Sequence, residues 1–388
     1  MGLVEHRNLP PTATRRQVIA GALAMLFAGR SSTAAAEVPA ALRDLAAAKN
    51  MLYGTCVQEP QLAAQDDFTA LVQRECSVLV AENAMKWQWM SHHPSEEDFS
   101  VPDQIVDFAM RHRLAMRGHT LLWYWRTPDW FKALPDRESA ERAMVERVTA
   151  MCRHYRGRVF CWDVVNEPIY VEHGRDDALR TTVFLDQVGP GYLDLAYRAA
   201  RAADPEACLV VNEYGLIDDT PEADRKRDAV LRLLERMKRA GTPVDALGVQ
   251  AHIDFAGDAF MPAKFRRFLA EVAALDLEIQ VTELDVTDER APGAIAVRDR
   301  LVADAYTRFL EVALDEPAVK VLVTWGLSDR NSWIVRHEYK AEVERKDGLP
   351  SRPLPFDAAL ARKPAWHATA AALRAAPKRS PSKWGAPA

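Results

Sequence analysis

The stretch Phe160-Cys161-Trp162-Asp163-Val164-Val165-Asn166-Glu167-Pro168 decides how this chain folds. Its first six residues are apolar apart from one acid, the pattern of a parallel strand covered on both faces. Pro168 has no backbone donor and cannot continue a central strand, so Glu167 stands where the strand stops. The C-terminal tip of a parallel strand is where α/β barrels place their chemistry. Taken alone, the stretch reads equally well as an ordinary strand followed by a solvated Glu.

A second stretch shifts the balance. Leu277-Glu278-Ile279-Gln280-Val281-Thr282-Glu283-Leu284-Asp285-Val286 is also strand-like, and Glu283 lies near its C-terminal end. Two strand-end glutamates far apart in sequence meet the needs of a retaining glycosidase, in which one carboxyl donates a proton and the other attacks as the anion. A barrel closes on itself, so distant strands can bring two carboxyls to within about 5–5.5 Å across the mouth.

Eight apolar runs punctuate the chain, at residues 52–57, 77–80, 114–122, 159–165, 208–211, 246–250, 278–282 and 319–325. Amphipathic stretches such as 228–240, 262–275 and 296–314 separate them. Strand and helix alternating eight times predicts an α/β fold, a single (β/α)8 TIM barrel with helices outside. The chain of 388 residues is long enough for one such barrel. We therefore expect one catalytic domain over 37–374 and a disordered, Pro-rich tail over 375–388. The charged segment 336–355 reads as a long loop after the last strand.

The N-terminus reads as an address rather than as fold. Arg15-Arg16 precede the apolar run 18–28, and Ala34-Ala35-Ala36 offers a small-residue cleavage site. Residues 1–36 are expected to be a signal peptide of the twin-arginine type, with a general secretory signal as the alternative. The apolar run is too short for a span of about 20 residues, so no membrane anchor is expected and the mature chain is exported, periplasmic or secreted. A net charge of −5 with no basic stripe speaks against nucleic acid. The five cysteines, Cys56, Cys76, Cys152, Cys161 and Cys208, show no metal spacing and read as buried thiols, a disulfide after export staying open.

The strand ends carry a consistent chemistry. Glu82-Asn83-Ala84-Met85-Lys86-Trp87 crowds an acid, an amide, an ammonium and an indole into one loop, the mixture that sugar hydroxyls and ring faces require. Gly118-His119-Thr120-Leu121-Leu122-Trp123 adds an imidazole and an indole, with Tyr124 and Trp125 beyond. Asn166 precedes Glu167 and is a candidate for holding a sugar 2-hydroxyl. Glu213, in Val211-Asn212-Glu213-Tyr214, is a rival carboxylate to Glu167. Gln250 and His252 share strand parity. Asp285 can fix the His252 tautomer behind Glu283, or can cap a helix. Trp325 and Trp333 supply apolar walls, and Asp329-Arg330 reads as a loop ion pair.

In order and approximate spacing, six of these motifs resemble the family 10 glycoside hydrolases, endo-1,4-β-xylanases on a (β/α)8 barrel. They are Glu82 to Trp87, Gly118 to Trp123, Trp162 to Glu167, Gln250-Ala251-His252, Thr282-Glu283-Leu284-Asp285 and Trp325-Gly326. The resemblance implies Glu167 as acid/base and Glu283 as nucleophile. It implies Glu82, Asn83 and Lys86 as holders of xylose on the non-reducing side. It implies that His119, Trp123, Asn166, Gln250, His252, Trp325 and Trp333 shape the site of cleavage, with xylan or xylo-oligosaccharide as substrate and no cofactor or metal; a monomer is expected as the working form. Two places depart from the family: Tyr124 and Arg126 stand where it commonly has His and Gln, and Glu213 where it often has Asp. Action on another β-1,4-glycan, or a non-catalytic xylan-binding barrel, remain the alternatives.

Glu283→Ala is expected to reduce turnover to background while leaving xylan binding intact. Reducing-sugar release and xylan co-sedimentation measure the two, and wild-type turnover in the variant would exclude the assignment.

Overall fold

Val78-Leu79-Val80-Ala81 displays the rule that builds the sheet. Alternate side chains face opposite ways, so Val78 and Val80 join an interior cluster while Leu79 and Ala81 join the layer beneath the helices. The computed structural model describes residues 40–94, 96–254, 260, 262–335 and 345–384. The signal-peptide expectation, 1–36, lies outside them, as does the part 336–344 of the expected long loop.

The strands in chain order are β1 (Leu52–Val57), β2 (Val78–Ala81), β3 (Ala115–Gly118), β4 (Leu122–Trp123), β5 (Cys161–Asn166), β6 (Cys208–Glu213), β7 (Ala246–Val249), β8 (His252–Asp254), β9 (Glu278–Thr287) and β10 (Val319–Thr324). Parallel ladders run β1-β2-β3-β5-β6-β7-β9-β10 and return from β10 to β1, closing the barrel that the alternation predicts. The short β4 and β8 extend the upper rim beside β5 and β9. The run 114–122 is thus two strands rather than one. Between them Leu121 N–H and the Thr120 hydroxyl both donate to the Asp163 carbonyl, which takes these residues out of the ladder.

The helices between strands close on local signals. Helix Pro221–Arg239 starts at Thr220, whose hydroxyl accepts from Ala223 N–H, with Pro221 in the first turn. It ends in Arg236, Lys238 and Arg239, cations at the negative pole of the helix dipole. Val230, Leu233, Leu234 and Met237 form its buried stripe against the sheet. All five cysteines are buried, and none is joined in a disulfide.

Inside the barrel, below the rim, lies a charged layer. Arg117 is fully buried; its Nε donates to Gln280 Oε1 at 2.8 Å and its two terminal nitrogens grip Asp163. Next to it Gly118 is required by packing, because a Cβ there would lie 2.1 Å from the Trp162 ring.

The stretch after Ala375 corrects the expectation of a disordered tail. Arg379 is 3% exposed and donates to the carbonyls of Val319 and Leu314, each at 2.6 Å. Lys320 Nζ donates to Ser380 O at 2.9 Å, Ser382 Oγ donates to Glu278 Oε2 at 2.7 Å, and Trp384 packs on the interior cluster from below. Composition suggested disorder because the segment has no apolar period of its own. The floor of the barrel supplies its partners instead: the carbonyls of Val319, at the start of β10, and of Leu314, at the end of the preceding helix, and the side chains of Glu278 and Lys320. Residues 385–388 of the expected tail fall outside those described.

Arg117→Met leaves Asp163 buried without its counter-charge. We expect a loss of about 3–5 kcal/mol in urea unfolding; a loss below about 1 kcal/mol would show that the pair behaves like an exposed one.

Candidate active site

Glu167 leaves β5 in a left-handed conformation, φ 58°. Non-glycine residues seldom adopt it, and three bonds hold it here. Glu167 N–H donates to Asn212 O at 2.8 Å, Arg180 Nε donates to Glu167 O at 2.9 Å, and Arg180 N–H donates to Pro168 O at 2.7 Å. Arg180 also donates to the Tyr214 hydroxyl at 2.9 Å and lies 4.5 Å from the centres of the Tyr124 and Tyr170 rings. Thus fixed, the buried Glu167 carboxylate accepts from Gln250 Nε2 at 3.1 Å and from Asn166 Nδ2 at 3.2 Å.

A shift of register against β10 falls within β9 between Val281 and Leu284. Thr282 and Glu283, adjacent in sequence, both reach the interior amide Asn212: Thr282 Oγ1 donates to its Oδ1 at 2.7 Å, and its Nδ2 donates to Glu283 Oε1 at 2.8 Å. The same Nδ2 donates to Asn166 Oδ1 at 2.8 Å, so one amide joins the β5 and β9 carboxylates through a continuous set of bonds. A register shift also falls in β5, between Asp163 and Val165. Each candidate glutamate therefore lies at or just beyond an irregularity in its strand.

Glu283 is ringed by donors. Its Oε2 faces His252 Nε2 at 3.3 Å, and His252 Nδ1 faces Asp285 Oδ1 at 2.8 Å. A carboxylate only accepts, so an imidazole between two of them carries both protons. Burial opposes that charge, yet the Asp285 charge and hydrogen bond, with those of Glu283, push His252 up to about 10. Burial likewise opposes ionisation of Glu283, but the His252 hydrogen bond, the neighbouring His119 and His252 and the Asn212 bond together hold it down to about 2. Asp285 is itself fixed by Trp333 Nε1 at 2.6 Å, which answers the helix-cap alternative.

The other predicted residues gather around this pair. A cavity of about 290 Å³ is lined by Glu82, Lys86, His119, Trp123, Asn166, Glu167, Gln250, His252, Glu283, Trp325 and Trp333. Asn83 stands behind that wall, where its Oδ1 accepts from Lys86 Nζ at 2.9 Å. Lys86 lies 4.8 Å from the Trp123 ring centre, and burial pushes its ammonium down to about 8 against the pull of Glu283. Glu82 accepts from Gln58 Nε2 at 3.1 Å. His119 Nδ1–H donates to Asp163 Oδ2 at 2.8 Å, which aims its other nitrogen upward from the Arg117–Asp163 layer. Trp325 stands edge-on to His119, with centroids 5.3 Å apart. A larger hollow of about 730 Å³, between helix Arg137–His154 and Trp87 and Trp130, holds neither glutamate.

Two sequence readings change. The rival carboxylate Glu213 is spent inside the fold: it pairs with Lys226 Nζ at 2.8 Å and accepts from the N–H groups of Ile169 and Tyr214. Asp329 and Arg330 do not pair with each other. Asp329 holds Lys363 at 2.9 Å and Arg330 holds Asp67 at 2.9 Å, because neighbours on a tight turn point apart. Sequence reasoning gave no role to Asn212 or Arg180. Asn212 had a signal, since it lies near the end of a strand at the parity of Val210, an interior residue. Arg180 sits in an irregular loop and had none.

The model for Glycosyl hydrolase family 10 matches residues 41–372. The chain is 30% identical over 315 residues to endo-1,4-beta-xylanase B of Thermotoga neapolitana, spanning 80% of this chain and 87% of that one. It is 32% identical over 369 residues to endo-1,4-beta-xylanase C of Paenibacillus barcinonensis, of whose length the match spans only 32%. Among solved structures, native xylanase 10B of Thermotoga maritima superposes with a TM-score of 0.76 at 29% identity, over 86% of this chain and 98% of that one. Xylanase 10B of Thermotoga petrophila RKU-1, solved with xylobiose, gives 0.76 at 28% identity, over 86% and 97%.

The His252 shift sets a pH window. Its stabilisation is complete below about pH 6.5, the range in which a free imidazole is also protonated, and it is lost as pH rises through about 10. Glu283 adds its share above about pH 4.3 and loses it as pH falls towards about 2. His252→Gln should therefore lower the urea midpoint most at about pH 5–6, with the gap to wild type closing towards pH 10. A gap that stays flat between these limits would contradict the charged state assigned to His252.

Proposed function

We propose, from the premise that this chain belongs to glycosyl hydrolase family 10, that it is a retaining endo-1,4-β-xylanase with Glu167 as acid/base and Glu283 as nucleophile. The observation that carries the reading is the unequal treatment of two carboxylates in one cavity. Glu283 is surrounded by His252, His119 and Asn212, which keep it anionic, whereas the side-chain hydrogen bonds that Glu167 accepts among the described residues come from two neutral amides. An anion beside a carboxyl that can deliver a proton is the pairing double displacement requires.

In the first step Glu167 donates its proton to the glycosidic oxygen while a Glu283 oxygen attacks the anomeric carbon from the opposite face. The C–O bond to the leaving chain breaks as the Glu283–sugar bond forms. In the second, Glu167 takes a proton from water, the oxygen displaces Glu283, and the anomeric configuration is restored. Asn166 and Gln250, both bonded to Glu167, are placed to hold it and the sugar 2-hydroxyl in one frame. His252 and Asp285 keep the nucleophile charged between turnovers. Trp325 and Trp333 wall the reacting sugar, and Glu82 and Lys86 offer charged hydrogen bonds to the neighbouring unit.

The xylanase relatives and the xylobiose complex of one structural neighbour support xylan as the substrate. The paired arginines before the apolar run at 18–28 support export.

Proton NMR of xylohexaose digestion should show the β-anomer of the new reducing end first, followed by mutarotation. Release from xylan should exceed release from carboxymethylcellulose by at least about 100-fold. An α-anomer formed first would exclude double displacement, and equal rates on the two polymers would exclude xylan specificity.

A further inference from the structure

The turn Glu167-Pro168-Ile169, which carries the acid/base out of β5, has each of its backbone polar groups taken. Its N–H groups go to the end of β6: Glu167 N–H donates to Asn212 O at 2.8 Å and Ile169 N–H to Glu213 Oε2 at 3.0 Å. Its carbonyls all go to Arg180. Nε donates to Glu167 O at 2.9 Å, the backbone N–H to Pro168 O at 2.7 Å and Nη2 to Ile169 O at 3.4 Å. Tyr214 ties the two holders together, since its hydroxyl accepts from Arg180 Nη2 at 2.9 Å and its N–H donates to Glu213 Oε1 at 3.1 Å.

Stability alone does not call for such holders. Arg180 is 6% exposed, and among the described residues no carboxylate lies within ion-pair distance of it; the rings of Tyr124, Tyr170 and Tyr214 lie against its guanidinium instead. Glu213 is fully buried, with Lys226 at 2.8 Å as its counter-charge. Apolar residues of like volume commonly replace a buried ion pair without loss. What these two charges supply is a fixed backbone: a guanidinium fork spans the carbonyls on both sides of Pro168, and a carboxylate takes the N–H that follows. Glu167, at φ 58°, has no preference of its own for that conformation. Loosening the turn swings its carboxyl off the glycosidic oxygen. Glu283 takes its bonds from His252 and Asn212, so the clamp serves one acid of the pair.

Resting on the xylanase reading above, we infer that Arg180 and Glu213 are positioning residues for proton transfer, which hold the Glu167 carboxyl at the glycosidic oxygen through the backbone of residues 167–169. Neither meets the sugar in this role. Glu213, withdrawn from the chemistry as a rival acid, re-enters it as a support for the true one.

The test turns on the leaving group. A sugar alcohol must be protonated as it departs, whereas an activated aryl group leaves without a proton, so its cleavage reads the nucleophile and not the acid. Arg180→Met should lower kcat/KM on xylohexaose by about 100-fold, the loss that a displacement of about 1 Å brings. Its kcat/KM on dinitrophenyl β-xylobioside should fall by less than about threefold. A burst of dinitrophenolate, stoichiometric with active enzyme, reports folded protein with a working Glu283. Steady turnover of that substrate still needs Glu167 as base for water, and it should rise on adding azide, a nucleophile that needs no base. Glu213→Gln, of the same size, should give the same pattern, and it decides the matter if Arg180→Met shows no burst. Equal losses on the two substrates, or no loss on xylohexaose, would overturn the proposal. A Glu213→Gln protein without a burst would overturn it too, because the clamp would then serve the fold as a whole. Glu167→Ala checks the reading beneath: equal losses on the two substrates there, or a wild type inactive on both, would overturn the xylanase assignment instead.

Discussion

A carboxylate sealed from water keeps its charge only when the protein replaces the water it has lost. Glu283 is the place where this chain must do so, and much of the upper barrel answers to it. His252 stands on one side, Asn212 on the other, and His119 adds a field from across the mouth. Each of these has its own support: Asp285 and Trp333 behind His252, Thr282 and Asn166 around Asn212, Asp163 and Arg117 beneath His119. The three groups and their supports together come from six of the eight barrel strands or the loops that follow them. A closed sheet is what lets residues so distant in sequence compensate one buried charge.

The sequence made the barrel legible because its strands are short apolar runs between long amphipathic ones, and both periods survive in a single chain. It also made most of the cavity wall legible, since the strand ends concentrate acids, amides and indoles. Where it failed, geometry departs from parity. Thr282 and Glu283 are neighbours, and simple alternation would send one of them away from Asn212; a register shift in β9 reconciles them. Arg180 was invisible because its role is exerted on a carbonyl, and carbonyls leave no trace in a sequence. Glu213 was misleading for the opposite reason: it has the right type and place, but Lys226, in the helix that follows, claims it. Asp329 and Arg330 paired on paper because they are adjacent, whereas the turn sends each to a partner remote in the chain.

The two glutamates are therefore asymmetric by construction. One is immobilised in charge, by cations and a shared amide. The other is immobilised in backbone, through a left-handed residue locked by Arg180 and by Asn212 O. Asn212 is the residue common to both, with its backbone carbonyl at one acid and its side chain at the other. On the reading proposed here, it keeps the proton donor and the nucleophile in register through both halves of the reaction.

The segment running to Trp384 lies under the barrel, bound to Glu278, Lys320 and Asn50, on the face opposite the cavity. The described end of the chain therefore leaves from that underside, and the mouth that holds Glu167 and Glu283 is kept clear of it.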